Sequence, residues 1–444
     1  ARMVGVPYDV GMDSSAVTHE DIAPAEANGI VQDLTYVAVL KDYGRDVTIP
    51  RPDGYDPSLF ACCCVNDLCV APKEPHRMWS REMMITYGKL PNGKYMINWP
   101  IEGNDYYVDM IDMTPEERAD AVRRAKSHTL SFVYFLQHEL GFNTLGLADD
   151  EFPTDDRLPF IPYHRESRRI HGAVRFTLND ITDPYAGTLY RTAVGVGDYP
   201  VDQHHTRYSG WDDLPDLYFH PIPSYGFPLG IVIPAGFPGL LVAEKSVSVT
   251  NLVNGSTRLQ PVVLQIGQAT GALAALAAAA GVDPSEVAVR RVQEAVLDAG
   301  GYLLPYLDLP AGDPRFKAMQ RIGVTGILKG RGANVGWENQ TWFDADRTIA
   351  ESKLREGLRE VYPSVRSSVR ETPVDGALLT AMLAEALGKP AGDIAAQTER
   401  AAGLLSGYDP ARPLTRLECA LLIDAVADPF HAAEVDIYGN YKRK

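Results

Sequence analysis

Hydrophobic positions along the 444-residue chain fall into short apolar runs and into longer segments with helical spacing. Short runs rich in β-branched and aromatic residues are typical of strands. Such runs occupy residues 31–40, 83–87, 95–98, 172–178, 189–196 and 240–243. Because they do not alternate regularly with helices, the pattern predicts an α/β chain of the α+β type, with a mixed sheet and a long helical insertion.

Two long helices are predicted from the residues at their ends. Thr114 precedes a proline and lies three residues before Glu117, which is the spacing of a capping box, and Gly141 can end the helix in the left-handed conformation. Pro261 lies where the first turn of an alanine-rich helix should be, and Gly281 follows its last residue.

The segment 262–280 is the only run apolar enough to suggest a membrane span. It contains Gln265 and Gln268, and much of it is alanine, whereas a spanning helix needs about 20 strongly apolar residues. We therefore predict no membrane span but a buried helix, with Gly267 and Gly271 allowing close packing on a sheet.

Composition changes at residues 309–314, a stretch rich in proline and glycine, and the chain beyond it is mostly helical in pattern. The prediction is a mixed-sheet domain over 1–230, a smaller unit over 231–309 and a helical domain over 310–444.

Charge limits the classes of partner. The chain carries 42 Lys and Arg against 58 Asp and Glu, a formal net charge of −16. Phosphate backbones and anionic membranes attract basic surfaces, so no nucleic-acid partner is expected. With 45% hydrophobic residues, the chain can bury large cores.

Five cysteines are present, and four of them lie within eight positions: Cys62, Cys63, Cys64 and Cys69, with Cys419 distant. Their odd number and clustering favour folding in reducing, cytoplasmic conditions, while export or cell-surface association stays open. The cluster lacks CxxC spacing and the histidines form no HExxH motif, so no metal site is predicted and small apolar packing is favoured. A redox disulfide is the remaining alternative.

The segment 239–277 carries the clearest chemical pattern. A short apolar strand leads into a polar loop, and the loop leads to the helix start at Pro261. Helix starts present free N–H groups and the positive end of the helix dipole, which favours an anion or a polar carbonyl. The alternative is a helix that packs against its neighbours and binds no ligand at its start.

Several strings together resemble a bacterial subgroup of FAD-dependent oxidoreductases with a glutathione-reductase-type fold. They are INWP and GNDYY (97–107), RESRRIHG (165–172), VGDYPVDQH (196–204) and NGSTRLQP (254–261), in that order. The resemblance implies an enzyme with FAD as cofactor, in which a hydroxyl- or amine-bearing small molecule or sugar-like substrate transfers hydride to flavin N5.

The resemblance also implies roles for particular residues. Cofactor contacts are expected from Asn254, Ser256, Arg258, Leu259, Gln260, Pro261 and Arg168, and substrate contacts from Asn98, Trp99 and Arg165. For the arginines, ion pairing with Glu166 and other acids is the alternative.

Candidates for the catalytic base are His204, His205 and Tyr225. A histidine titrates near neutrality, so it can accept a hydroxyl or amine proton, and Asp202 can orient it. Adjacent residues of an extended segment point to opposite faces, so His204 and His205 are not expected to share one pocket. A core or surface histidine without catalytic role is the alternative.

The family pattern is incomplete in this chain. No GxGxxG motif is present, so we expect the half that holds the ADP part of FAD to come from elsewhere, as a partner chain or as a segment outside this sequence. Glu244 stands where many flavoproteins have glycine near the ribityl chain. A homo-oligomer also stays open.

Two strings near the C-terminus, at 316–343 and 414–426, resemble S-layer-homology modules, which bind cell-wall polymers in arrays. A single set favours a structural cap or an interaction domain. The rival to an enzyme is therefore a non-catalytic cell-surface or cell-wall binding module in which the flavoprotein-like region is degenerate.

Overall fold

The computed structural model describes residues 1–336, 338–403, 405 and 407–442. The helices are α1 (Ser15–Thr18), α2 (Arg81–Tyr87), α3 (Pro115–His138), α4 (Leu178–Thr182), α5 (Asn251–Thr257), α6 (Gln260–Ala280), α7 (Val289–Asp298), α8 (Phe316–Thr325), α9 (Glu351–Val361), α10 (Gly376–Leu387), α11 (Ala391–Ala402), α12 (Arg416–Ala427) and α13 (Pro429–Ala432). The strands are β1 (Tyr8–Asp9), β2 (Leu34–Thr35), β3 (Ala38–Asp42), β4 (Lys94–Ile97), β5 (Asp105–Tyr106), β6 (Leu145–Leu147), β7 (Arg169–Ile170), β8 (Ala193–Gly197), β9 (Tyr225–Pro228), β10 (Arg331–Val335) and β11 (Glu338–Trp342).

The strands form small antiparallel sheets. One sheet has three strands in the order β4-β3-β6, and the pairs β1-β7, β2-β5, β8-β9 and β10-β11 complete the set for the described residues. The α+β class is confirmed, although the strands are divided among separate sheets instead of forming one mixed sheet.

The helices predicted from their ends are confirmed. Thr114 caps α3 with a complete capping box to Glu117, and Gly141 follows with a φ of 76°. Pro261 lies in the first turn of α6, and Gly281 ends that helix with a φ of 67°.

Three of the predicted strands are wrong. Residues 83–87 belong to α2, which begins where the Ser80 hydroxyl accepts a hydrogen bond from the Met83 N–H at 3.1 Å. A five-residue apolar run does not distinguish a short helix from a strand, and here the cap decided. Residues 172–178 make only isolated bridges before α4, and 240–243 form no strand. The other three runs overlap β2 and β3, β4, and β8, and residues 189–192 form a 3-10 helix before β8.

The apolar helix α6 is buried on one side only. Gln265 fixes it to β8 by accepting from the Val196 N–H at 2.9 Å and donating to the Val196 carbonyl oxygen at 3.0 Å. On the other side Leu264 is 73% exposed, and within the described structure a Cβ at Gly267 or Gly271 would meet no atom within 4 Å. The predicted close packing of these two glycines is therefore wrong.

By length and mean hydropathy, 1.6, α6 is also the one helix in the described ranges that could cross a membrane. Of its most apolar stretch, 28% is buried. The absence of a membrane span stays a prediction.

Three apolar cores support the molecule. One lies between α3 and the three-stranded sheet, a second surrounds β8, β9 and α6, and a third joins the C-terminal helices. The third core includes Tyr190 and Val296 beside Leu383, so it draws on both sides of the predicted boundary near residue 309. The domain division itself stays a prediction.

The cysteine cluster corrects one expectation. Cys62 and Cys69 form a disulfide, whereas Cys63, Cys64 and Cys419 are free and buried. Disulfides are typical of oxidising compartments, so the argument for reducing conditions from cysteine spacing fails.

Candidate functional site

A chain of buried charges joins segments that are far apart in sequence. Arg165 donates to the Asp33 carbonyl oxygen at 2.6 Å and to Asp105 Oδ1 at 3.0 Å. His204 follows, with Nδ1 2.8 Å from Asp105 Oδ2 and Nε2 3.1 Å from Asp202 Oδ2. Arg258 ends the series by donating to Asp202 Oδ2 at 3.2 Å. We call Arg165, Asp105, His204, Asp202 and Arg258 the ionic chain.

The ionic chain holds both carboxylates in their charged form. Burial raises the pKa of Asp105, but Arg165 and His204 outweigh it and lower this pKa far below the usual range. At Asp202 burial is likewise outweighed, first by His204 and then by Arg258, and the pKa falls to about 2. Each ring nitrogen of His204 therefore has a carboxylate oxygen within hydrogen-bond distance.

Asp33 lies against this chain and behaves in the opposite way. It is fully buried, and burial together with the charge of Asp105 raises its pKa to about 7. One of its oxygens accepts from the Arg207 N–H at 3.0 Å, and the other has no hydrogen-bond partner among the described residues.

Asn254, Ser256 and Tyr225 lie in the buried layer around α5. Asn254 donates to the Arg165 carbonyl oxygen at 3.2 Å. Tyr225 Oη is 2.6 Å from Ser256 Oγ, which in turn donates to the Tyr199 carbonyl oxygen at 2.6 Å. Burial raises the pKa of Tyr225, so its phenol stays protonated.

A cavity of about 660 Å³ opens beside the start of α6, and we call it the α6 cavity. Its lining includes Gln260, Arg168, Tyr163, His164 and Lys245. No side chain caps the start of α6, and Gln260 in its first turn lines the cavity. The cavity is within the usual size range of ligand pockets, roughly 300–1,000 Å³.

Only some of the predicted cofactor residues line this cavity. Gln260 and Arg168 line it, and Leu259 and Pro261 are their neighbours at the helix start. Asn254, Ser256 and Arg258 are buried and are not among its lining residues, and Arg258 Nη1 lies 3.4 Å from Oη of the lining residue Tyr163. Arg168 also pairs with Asp112 at 2.5 Å, as the ion-pair alternative expected.

Glu244 has a backbone conformation that is typical of glycine. It lines the α6 cavity and has a φ of 67°, a conformation that glycine adopts readily and other residues rarely. Its carboxylate lies 3.3 Å from Lys245 Nζ.

The remaining predicted residues lie elsewhere. Trp99 is buried and donates to the Cys63 carbonyl oxygen at 2.7 Å, and Asn98 lies beside it near α2 and α3. His205 is buried and lines a second cavity, whereas the ring of the adjacent His204 lies between Asp105 and Asp202. Asp202 orients His204, as expected.

Sequence reasoning missed Asp33, Asp105, His164 and Lys245. Two signals were available, since Asp105 is part of the GNDYY string and His164 directly precedes RESRRIHG. An aspartate or a histidine at such a position does not indicate a functional site until the fold is known. In the described ranges, no group of three His, Cys, Asp or Glu side chains is arranged to hold a metal ion.

Comparison with known proteins gives one finding. Residues 1–296, more than half of the chain, match the model of a family described as FAD dependent oxidoreductase. No significant match was found among curated proteins or solved structures. Because the match ends at residue 296, the S-layer-homology resemblance of the C-terminal region stays a prediction. The chain belongs to the FAD-dependent oxidoreductase family: it is an oxidoreductase, and its cofactor is FAD.

Proposed function

We propose that this protein oxidises a small molecule at a carbon that bears a hydroxyl or amine group, and that substrate and cofactor meet in the α6 cavity. The single observation that carries the proposal is the α6 cavity at an uncapped helix start in a chain of this family. When bound, FAD supplies the hydride acceptor for the substrate C–H bond. The hydroxyl or amine proton must then leave to the protein, and a carbonyl or imine is the product.

The residues of the cavity fit an FAD ring system. Gln260 and Arg168 offer hydrogen-bond donors for carbonyl groups, and Lys245 with the start of α6 supplies positive charge for an electron-rich edge. The left-handed backbone at Glu244 allows close approach of a ligand in the way a glycine does. Lys245 is held near Tyr163, with Nζ 4.7 Å from the ring centroid, and it pairs with Glu244 at 3.3 Å.

His164 is the proton acceptor that the cavity favours. It borders the cavity, and burial together with Lys245 and Arg118 lowers its pKa, which keeps the imidazole neutral near pH 7. A neutral imidazole can accept a proton, whereas His204 has both nitrogens facing carboxylates. His204, His205 and Tyr225 therefore rank behind His164 as candidates for the base.

We further propose that the ADP part of FAD is held by a dinucleotide-binding half that is not within residues 1–444. The chain has no GxGxxG motif, and the open side of α6 offers Leu264 and two glycines as a surface for another unit.

The first experiment is a visible absorption spectrum of the protein purified from its native gene. A flavin spectrum that bleaches anaerobically with a hydroxyl- or amine-bearing compound is expected. A protein that binds added FAD but is not reduced by any alcohol or amine in a broad panel would contradict the proposed reaction.

A second experiment compares His164→Asn with the matched control His138→Asn, whose histidine is exposed on α3. His164→Asn should lower the rate constant of flavin reduction by about 10²–10⁴-fold at unchanged FAD content. The wild-type rate should fall only at pH values below the ordinary histidine pKa. Equal rates in the two variants would remove His164 from the mechanism.

A further inference from the structure

Arg118 is an unpaired cation in the wall of the α6 cavity. It lies in the first turn of α3 and is exposed, and within the described residues its side chain has no ion pair and no hydrogen bond. We propose that Arg118 binds the carboxylate of the substrate, and that this substrate is a hydroxy or amino acid with an apolar body. The inference rests on the proposed function, and it names the class of substrate that the α6 cavity takes.

The other charged groups of the cavity already have partners. Arg168 and Lys245 each have a carboxylate within 3.3 Å. Glu166 is buried, and its two oxygens accept hydrogen bonds from groups that do not line the cavity. In the part of the chain that the structure describes, Arg118 is thus the lining cation without a carboxylate beside it. An anion that enters the cavity meets this free charge, and a charge-assisted hydrogen bond to it is stronger than a neutral one.

Helix stability does not explain the position of Arg118. The first turn of a helix lies at the positive end of the helix dipole, where acidic side chains are stabilising and basic ones are not. Glu116 and Glu117 meet that preference, and Glu117 completes the capping box with Thr114. A binding role therefore accounts for Arg118 better than a folding role, and its charge can be removed without loss of the fold.

Much of the remaining lining suits an apolar body. The lining includes Val37, Met110, Ile111, Phe152 and Ile161, and Ile161 is 73% exposed, so its side chain is accessible to a ligand. Apolar ligand surface that packs on such side chains is removed from water, which favours binding. A ligand with one carboxylate and an apolar body therefore matches both parts of the lining, whereas a sugar would set hydroxyl groups against apolar side chains.

Arg118 also lies near the proposed proton acceptor. Burial is the largest cause of the lowered pKa of His164, and the charges of Lys245 and Arg118 add to it. Such an effect is short-ranged, since salt screens exposed charges that lie more than about 10 Å apart. A substrate held at Arg118 is therefore in the part of the cavity where His164 can accept the hydroxyl or amine proton.

Isothermal titration calorimetry of the FAD-loaded protein tests the proposal with ligands that have no hydroxyl or amine carbon to oxidise. Hexanoate carries both the carboxylate and the apolar body, hexanamide is its neutral isostere, and acetate lacks the apolar body. Hexanoate should bind at least about tenfold more tightly than either hexanamide or acetate. Arg118→Gln should weaken hexanoate binding by about 10–100-fold, and Arg118→Lys should restore part of it because the charge is kept.

Arg45→Gln is the matched control. Arg45 is also exposed and has no ion pair in the described ranges, but it does not line the cavity. Arg45→Gln should bind hexanoate as the wild type does, and Arg118→Gln should keep its FAD content and its midpoint of thermal unfolding.

The proposal is overturned if hexanamide or acetate binds as tightly as hexanoate, or if Arg45→Gln weakens binding as much as Arg118→Gln. It is also overturned if Arg118→Gln loses FAD but keeps the preference for hexanoate, which would assign Arg118 to the diphosphate of FAD.

The two proposals fail in different ways. Flavin reduction by neutral alcohols or amines, without any preference for hexanoate, would keep the proposed function and remove this inference. Hexanoate binding through Arg118, without flavin reduction by any hydroxy or amino acid, would contradict the proposed function and leave the carboxylate site in place.

Discussion

The ionic chain and the C-terminal helical core use burial in opposite ways. Around Arg165 and Asp105 the protein buries charged groups that each need a partner of opposite charge. In the C-terminal core, Leu354, Met382 and Leu383 are fully buried against other apolar side chains. Apolar burial stabilises a fold directly, whereas buried ion pairs lose much of their attraction to desolvation. The two regions should therefore respond differently to substitution and to pH.

The largest expected effect is at the ionic chain. Asp105→Asn leaves Arg165 and His204 without their shared carboxylate, and the free energy of unfolding should fall by about 3–5 kcal/mol. Urea unfolding of the protein measures this loss. The control Asp53→Asn, on an exposed loop, should change this free energy by less than about 0.5 kcal/mol. Equal effects of the two substitutions would mean that the ionic chain does not act as a coupled unit.

Asp33→Asn should raise the free energy of unfolding relative to the wild type, and this effect should depend on pH. Because the pKa of Asp33 is raised to about 7, its stabilising contribution is complete below its unfolded pKa and is lost as pH rises through 7. Asparagine does not titrate. Between pH 4 and pH 8 the free energy of unfolding of the variant should therefore rise relative to that of the wild type, by up to about 4 kcal/mol. Urea unfolding at both pH values checks it, and a constant difference would mean that Asp33 titrates normally.

The apolar core should respond without pH dependence. Leu383→Ala removes a fully buried side chain on α10, and the free energy of unfolding should fall by about 3 kcal/mol, equally at pH 6 and pH 8. Leu264→Ala, on the exposed side of α6, is the control and should be nearly neutral. A loss that varied with pH would break the contrast between the two regions.

The smallest effect is expected at an exposed ion pair. Lys353 and Glu356 lie 3.0 Å apart on α9, and both side chains are about two-thirds exposed. Because water and salt screen such a pair, Lys353→Ala should leave the unfolding midpoint in urea unchanged within error. A clear shift of the midpoint would show that the exposure of an ion pair does not determine its contribution to stability in this protein.

Local signals in the sequence were sufficient for the long helices. The capping box at Thr114 and the glycines after α3 and α6 act within one turn of the chain, so their effect can be predicted without knowing the fold. Residues 83–87 show the limit, since a short apolar run fits both strand and helix until Ser80 caps it.

The sequence by itself determined the family, the cofactor and the cap-defined helices, because these depend on local patterns of residues. Only the tertiary structure decided the site. Asp105 is hydrogen-bonded to Arg165, 60 positions away, and to His204, 99 positions away. No local pattern in the sequence links these residues. Folding brings them together away from water, where charges must pair, and that shared burial sets the pKa values of Asp33, Asp105 and Asp202.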